Sequence, residues 1–118
     1  PDTGSLRTDL IEWYWGRYRA KAVRRDNRLM GQVLVEASVN PDMHRLMGQF
    51  SQQRRKTLAQ IVERAVARGE VNDSVDGDLL LDLLSGAVLY RSLFKDEALT
   101  QQRVSDMVDL VLRGAQNP

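Results

Sequence analysis

The chain has 118 residues, 42% of them hydrophobic and 28% charged, which suits one globular domain able to bury roughly two thirds of the surface its unfolded form exposes. Seventeen Lys and Arg against 16 Asp and Glu leave a net charge of +1, too weak a field for a domain that grips nucleic acid on its own. The absence of cysteine excludes disulfides, thiolate metal sites and a cysteine nucleophile, and is compatible with a cytoplasmic setting.

From Leu6 to about Val23 apolar residues recur at helical spacing through Leu6, Leu10, Ile11, Trp13, Tyr14, Trp15 and Tyr18, which predicts a first amphipathic helix rich in aromatic rings. Residues 27 to 39 set Leu29, Met30, Val33, Leu34 and Ala37 on one helical face. This second helix must end at Asn40-Pro41, because the residue before a proline is driven out of the α region. Asn40, Pro41 and Asp42 then supply an N-cap, a proline for the first helical position and an acid for the positive end of the helix dipole. The third helix starts there and carries its apolar period through Met43, Leu46, Met47, Phe50, Leu58, Ile61, Val62, Ala65 and Val66 to Gly69, a residue free to take the positive φ of a helix end. Its length is on the order of 40 Å at 1.5 Å per residue. The segment SQQRRK, residues 51 to 56, interrupts the apolar stripe and reads as a solvated face or as the rim of a pocket.

After the polar turn EVNDSVDGD, Asp76 is the expected cap of a fourth helix. Thr100 is the expected cap of a fifth, which holds Val104, Met107, Val108, Val111 and Leu112 up to Gly114. The connection between them is short, so the two are antiparallel neighbours. No alternating β pattern, internal repeat or low-complexity tract interrupts the helices. The fold class is all-α, a bundle of about five helices.

The fourth helix is apolar nearly all the way round. In LLLDLLSGAVLYRSLF, residues 79 to 94, the positions of Leu79, Leu80, Leu83, Gly86, Ala87, Tyr90, Leu93 and Phe94 cover about half the circumference, and Leu81, Val88 and Leu89 lie on the other side; a helix facing only its own core needs a stripe of about 100°. The run contains Asp82 and Arg91 and falls short of the roughly 20 residues of a bilayer span, so the surplus is expected to be buried against protein, with no membrane involved. Gly86 and Ala87 in mid-helix let another helix approach closely. Two copies of the last two helices in a two-fold four-helix interface meet that demand, the fifth helix contributing Val104, Met107, Val108 and Val111. A central helix enclosed on all sides within a monomer is the alternative.

The opening PDTGSLRTDL, the stretch IVERAVARGEV at 61 to 71, and the closing run of LLLDLLSGAVLYRSLF and LTQQRVSDMVDLVLRG together resemble the C-terminal regulatory domain of TetR-type bacterial transcription regulators, over nearly the whole chain. The resemblance implies an effector-responsive helical domain that forms a homodimer through its last two long helices. It also implies a repressor that holds operator DNA through an N-terminal helix-turn-helix domain. Residues 1–118 are then the regulatory domain, and the DNA-binding domain, with its connecting helix, is expected to be absent from this chain.

The candidate effector site follows from residue types. Trp13, Tyr14 and Tyr18, with Met30 and Leu34, Met47 and Phe50, and Tyr90, offer broad adaptable apolar surface with phenol hydroxyls as polar tips, the mix that ligand cavities use. That lining suits a small apolar or aromatic ligand. The same stripe also fills a packed bundle, and a helical dimeric adaptor or scaffold without a ligand is the second reading. No enzyme, metal or cofactor is expected: the single histidine, His44, lacks the second histidine, cysteine or nucleophile motif that catalysis or zinc would need. Asp106 and Asp109, on one face of the last helix, read as solubility. The segment RYRAKAVRRDNR, residues 17 to 28, sets many cations beside the aromatics of the first helix, as a single-strand nucleic-acid surface would, but a solvated helix end is the stronger reading.

Overall fold

A computed structural model of the chain describes residues 2–19, 31–95 and 99–115. The helices are α1 (Leu6–Tyr18), α2 (31–37), α3 (Pro41–Ala67), α4 (Gly77–Tyr90) and α5 (Gln101–Ala115), with a π-helical turn, Arg91–Lys95, extending α4. Among the described residues there is no strand, and none of their helices is long and apolar enough to cross a membrane.

Helix starts follow the local chemistry of the sequence. The Asn40 side chain accepts from the amides of Asp42 and Met43 at 3.1 and 3.3 Å. Asp76 accepts from those of Asp78 and Leu79 at 3.0 and 3.2 Å, and the Thr100 hydroxyl accepts from Arg103 at 3.1 Å. Each satisfies amides that the first helical turn leaves without an internal partner. Ser5, not anticipated as a cap, does the same for Thr8 at the head of α1. Gly69, at φ +79°, closes α3, and the Glu70 amide reaches back to the carbonyl of Ala65 at 3.0 Å.

One helix end differs from expectation, and another is described only in part. The described part of α1 ends at Tyr18, with the Arg19 amide donating to Trp15; the expected extension to Val23, Met30 and most of the cation-rich segment lie outside the described residues. The fourth helix is α-helical only to Tyr90, then widens into the π turn, a form with one extra residue in the hydrogen-bonded ring.

The core draws on every fourth residue of α1, namely Leu6, Leu10 and Tyr14, and on Leu58, Ile61, Val62 and Ala65 at the C-terminal half of α3. Leu80, Leu81, Leu84 and Val88 of α4 meet Val104, Val108 and Leu112 of α5 across it. Where α4 begins, a Cβ added at Gly77 would stand 3.0 Å from Val62 Cγ1, so the two helices touch through a missing side chain. The N-terminal half of α3 contributes no buried residue, and its Leu46 and Phe50 are exposed. Ahead of α1, the Thr3 amide and hydroxyl both donate to Asp9 Oδ1 at 2.8 Å, and the Leu6 amide donates to Glu70 Oε2 at 2.9 Å, which ties the start of the chain to the α3–α4 turn.

Candidate effector site and association face

Two features bear on the candidate site. The first is an outward row on α4 and its π turn: Leu79, Leu83, Tyr90 and Phe94 are 53%, 56%, 57% and 73% exposed. Gly86 is exposed in the same helix, and a Cβ added there would meet nothing within 4 Å, while Ala87 is half-buried. The Tyr90 and Phe94 rings pair at 5.0 Å between centroids. Other residues expected on this face sit elsewhere. Leu80, Val104 and Val108, at 3%, 0% and 0% exposed, fill the core of the protomer itself, because the rows 80–81–84–88 and 104–108–112 are the ones α4 and α5 turn inward. Met107 and Val111 are half-buried at its edge. Leu110 is 71% exposed on α5, three residues from Met107 and so on a neighbouring strip of that helix.

The second feature is the aromatic cluster of α1. Trp13 meets Tyr14 edge-on at 4.9 Å, and Tyr14 stacks on Tyr18 at 6.4 Å between centroids. Tyr14 is fully buried, whereas Trp13 and Tyr18 are half-buried against the core. The Tyr14 phenol lies 2.8 Å from the Ser85 hydroxyl of α4, and burial pushes its pKa up to about 12, against smaller downward pulls from that hydrogen bond and from Arg55 and Arg54. Leu34, Met47, Phe50 and Tyr90 lie outside the core cluster that these three rings join; Leu34 and Met47 are half-buried, and Phe50 is exposed.

The charge run at 51 to 56 is divided. Gln52 and Gln53 are exposed, but Arg54 and Arg55 are half-buried. Arg54 Nη2 donates to the Tyr18 phenol oxygen, and its guanidinium stands 5.7 Å from the centre of that ring. Arg55 turns to α4 and pairs with Asp78 at 2.7 Å and Asp82 at 2.5 Å. Partial burial works against its charge, but the two carboxylates prevail and raise its pKa. A separate groove of about 400 Å³ is lined by Leu6, Val71 and Leu112, with Arg7, Glu70, Asp109 and Arg113. There Arg7 Nε holds Asp109 Oδ1 at 2.6 Å, so Asp109 ties α5 to α1. None of the residues expected to bind an effector lines this groove.

The chain is thus an all-α bundle with an aromatic cluster on its first helix and an apolar row facing outward on its fourth. Among the described residues no group of three His, Asp or Glu side chains converges to hold a metal ion, and His44 is exposed on α3. Residues 1–111 match the family model of the tetracyclin repressor-like, C-terminal domain, and the chain belongs to that family, whose members are regulators and not enzymes. It is 35% identical over 113 residues to uncharacterized HTH-type transcriptional regulators of Mycobacterium tuberculosis and Mycobacterium bovis, a match that covers 95% of this chain and 55% of each relative. YdeS, an HTH-type transcriptional regulator of Bacillus subtilis, is 23% identical over 117 residues, 98% of this chain and 59% of its own length. The crystal structure of the TetR family transcription regulator SCO0332 has the same fold, with a TM-score of 0.78 at 30% identity over 99% of this chain and 65% of that one. The chain thus spans little more than half the length of the mycobacterial relatives it matches.

Proposed function

We propose that this chain is the effector-binding and dimerisation domain of a bacterial transcription repressor that works in the cytoplasm, with operator DNA held by a helix-turn-helix domain outside these 118 residues. Family membership supports this, as do longer relatives that are HTH-type regulators. The observation that carries it is the outward row of Leu79, Leu83, Tyr90 and Phe94. Apolar surface left in water costs about 25 cal/mol per Å², and a second copy of the same face, related by a two-fold axis, removes it from water on both protomers at once. Exposed Gly86 lets the two α4 helices approach closely, and Met107, Leu110 and Val111 extend the contact from α5. A small apolar or aromatic effector seated on the half-buried rings of Trp13 and Tyr18 touches α1 directly and reaches α3 through Arg54 and, through the buried Tyr14 beneath them, α4 at Ser85. It changes DNA affinity by binding one dimer geometry more tightly than another.

Sedimentation equilibrium of the 118-residue chain tests the association directly. A dimer at micromolar concentration is expected, and a chain that stays monomeric well above it refutes the interface. Operator binding by the complete protein, with and without a compound that quenches Trp13, tests the regulation; equal affinity in both conditions removes it. The full burial of Tyr14 favours one second reading, a dimeric adaptor whose aromatic rings only fill the core, in which no compound binds there.

A further inference from the structure

We propose that Arg54 is the anchor for the acidic group of the effector, which is therefore an amphipathic organic acid: a carboxylate or similar anion carried on an aromatic or hydrophobic body. The proposal rests on the reading of the α1 aromatic cluster as the effector site. Arg54 and Arg55 are neighbours on α3 with opposite circumstances. Arg55 has its charge matched by Asp78 and Asp82. Arg54 is half-buried, faces α1, and has a phenol oxygen and the face of the Tyr18 ring as its partners. Among the described residues no carboxylate pairs with it.

A second cation stands on the same cluster, since the Arg17 guanidinium lies 5.3 Å from the centre of the Trp13 ring, and Arg17 too has no carboxylate partner among the described residues. Positive charge over aromatic faces is favourable, but it does not use the guanidinium's hydrogen-bonding capacity: five N–H donors are available, and among the described residues the phenol of Tyr18 takes one of those of Arg54. A planar anion takes two of the others in a bidentate pair, the geometry in which arginine binds carboxylates best. Its apolar body then rests on the exposed edges of Trp13 and Tyr18. A neutral ligand of the same shape gains the stacking and leaves the charge unmatched.

The test uses two naphthylamine probes on the 118-residue chain: 8-anilinonaphthalene-1-sulfonate, which is anionic, and N-phenyl-1-naphthylamine, which is the same ring system without the charge. Energy transfer from Trp13 and Trp15 reports probe bound near α1. Arg54→Gln is expected to weaken the sulfonate by about tenfold or more and to leave the neutral probe within about twofold, with Arg54→Lys intermediate and the helical circular dichroism unchanged. Loss of the sulfonate's advantage at high salt in the wild-type chain supports the same conclusion. An Arg54→Gln chain that holds the sulfonate as before, or loses both probes equally, overturns the anchor. If Trp13→Ala still weakens the neutral probe in that case, the effector-site reading stands without an anionic ligand; if neither substitution moves either probe, both readings fall.

Discussion

The hydroxyls of Tyr14 and Ser85, on helices separated by the core, lie 2.8 Å apart, and the phenol of Tyr14 is fully buried. Tyr14→Phe removes this contact and leaves the packing in place, so unfolding in urea should show a loss of about 1 kcal/mol near neutral pH. A pH dependence follows from the same burial. The folded chain keeps the phenol proton to about pH 12, whereas the unfolded chain releases it near 10.0, so the folded state binds more protons across that window and stability falls as pH rises through it. At about 1.4 kcal/mol per pKa unit, the decline attributable to Tyr14 amounts to about 3 kcal/mol. It should be absent from Tyr14→Phe, measured as the difference between the two unfolding curves.

Asp9 gives the opposite slope at the acid end. The carboxylate is fully buried; desolvation opposes its charge, but the Thr3 amide and hydroxyl, with Arg64 nearby, prevail and hold its pKa below the ordinary 3.8. Its contribution is present above that value and is lost as pH falls through the lower folded value. Asp9→Asn should therefore cost about 1 to 3 kcal/mol at neutral pH, and the gap from the wild-type chain should narrow in acid as the native carboxylate takes up its proton. A gap that stays constant through the acid range rules out this account.

Two glycines of α4 should respond in opposite directions to the same change. Gly77→Ala brings a Cβ to 3.0 Å from Val62 Cγ1, and because both groups sit at the helix contact, overpacking of about 1 to 3 kcal/mol is expected. Val62→Ala in the same chain should recover part of it. At Gly86 a Cβ meets nothing within 4 Å, so Gly86→Ala should stabilise the monomer against thermal unfolding through helix propensity, by up to about 1 kcal/mol. If Gly86 lies in the seam, the same methyl weakens association, and sedimentation separates the two effects.

What the sequence made legible was local. Asn40, Asp76, Thr100 and Gly69 cap their helices through side chains or φ angles that depend on adjacent residues alone. The direction a helix faces is not local. On α5 the rows Val104, Val108, Leu112 and Met107, Val111 are equally apolar, and only packing against α1 and α4 sends the first row inward. The same ambiguity put Leu80 on the outer face of α4. Arg54 and Arg55 read as solvated charge because their partners are remote in the chain, 36 residues away at Tyr18 and 23 at Asp78, and long side chains reach what periodicity does not encode. The aromatic cluster was legible in part: Trp13, Tyr14 and Tyr18 are four and five residues or fewer apart on one helix, whereas bringing Met47 or Phe50 to them depends on where α3 crosses α1.

The last prediction uses two adjacent leucines. Leu83 is 56% exposed on the outer row of α4, and Leu84 is 0% exposed in the core. An arginine at the inner position is an unpaired cation buried among apolar side chains, which costs several kcal/mol, so Leu84→Arg should abolish the cooperative thermal transition. An arginine at the outer position is harmless to an isolated protomer, because its charge reaches water. Leu83→Arg should keep helical circular dichroism and a cooperative melt, yet shift sedimentation equilibrium toward monomer by about a hundredfold or more in dissociation constant. The outcome that sinks the two-fold α4 seam is a folded Leu83→Arg chain that dimerises as tightly as the wild type, for the interface would then have to lie on another face of the bundle.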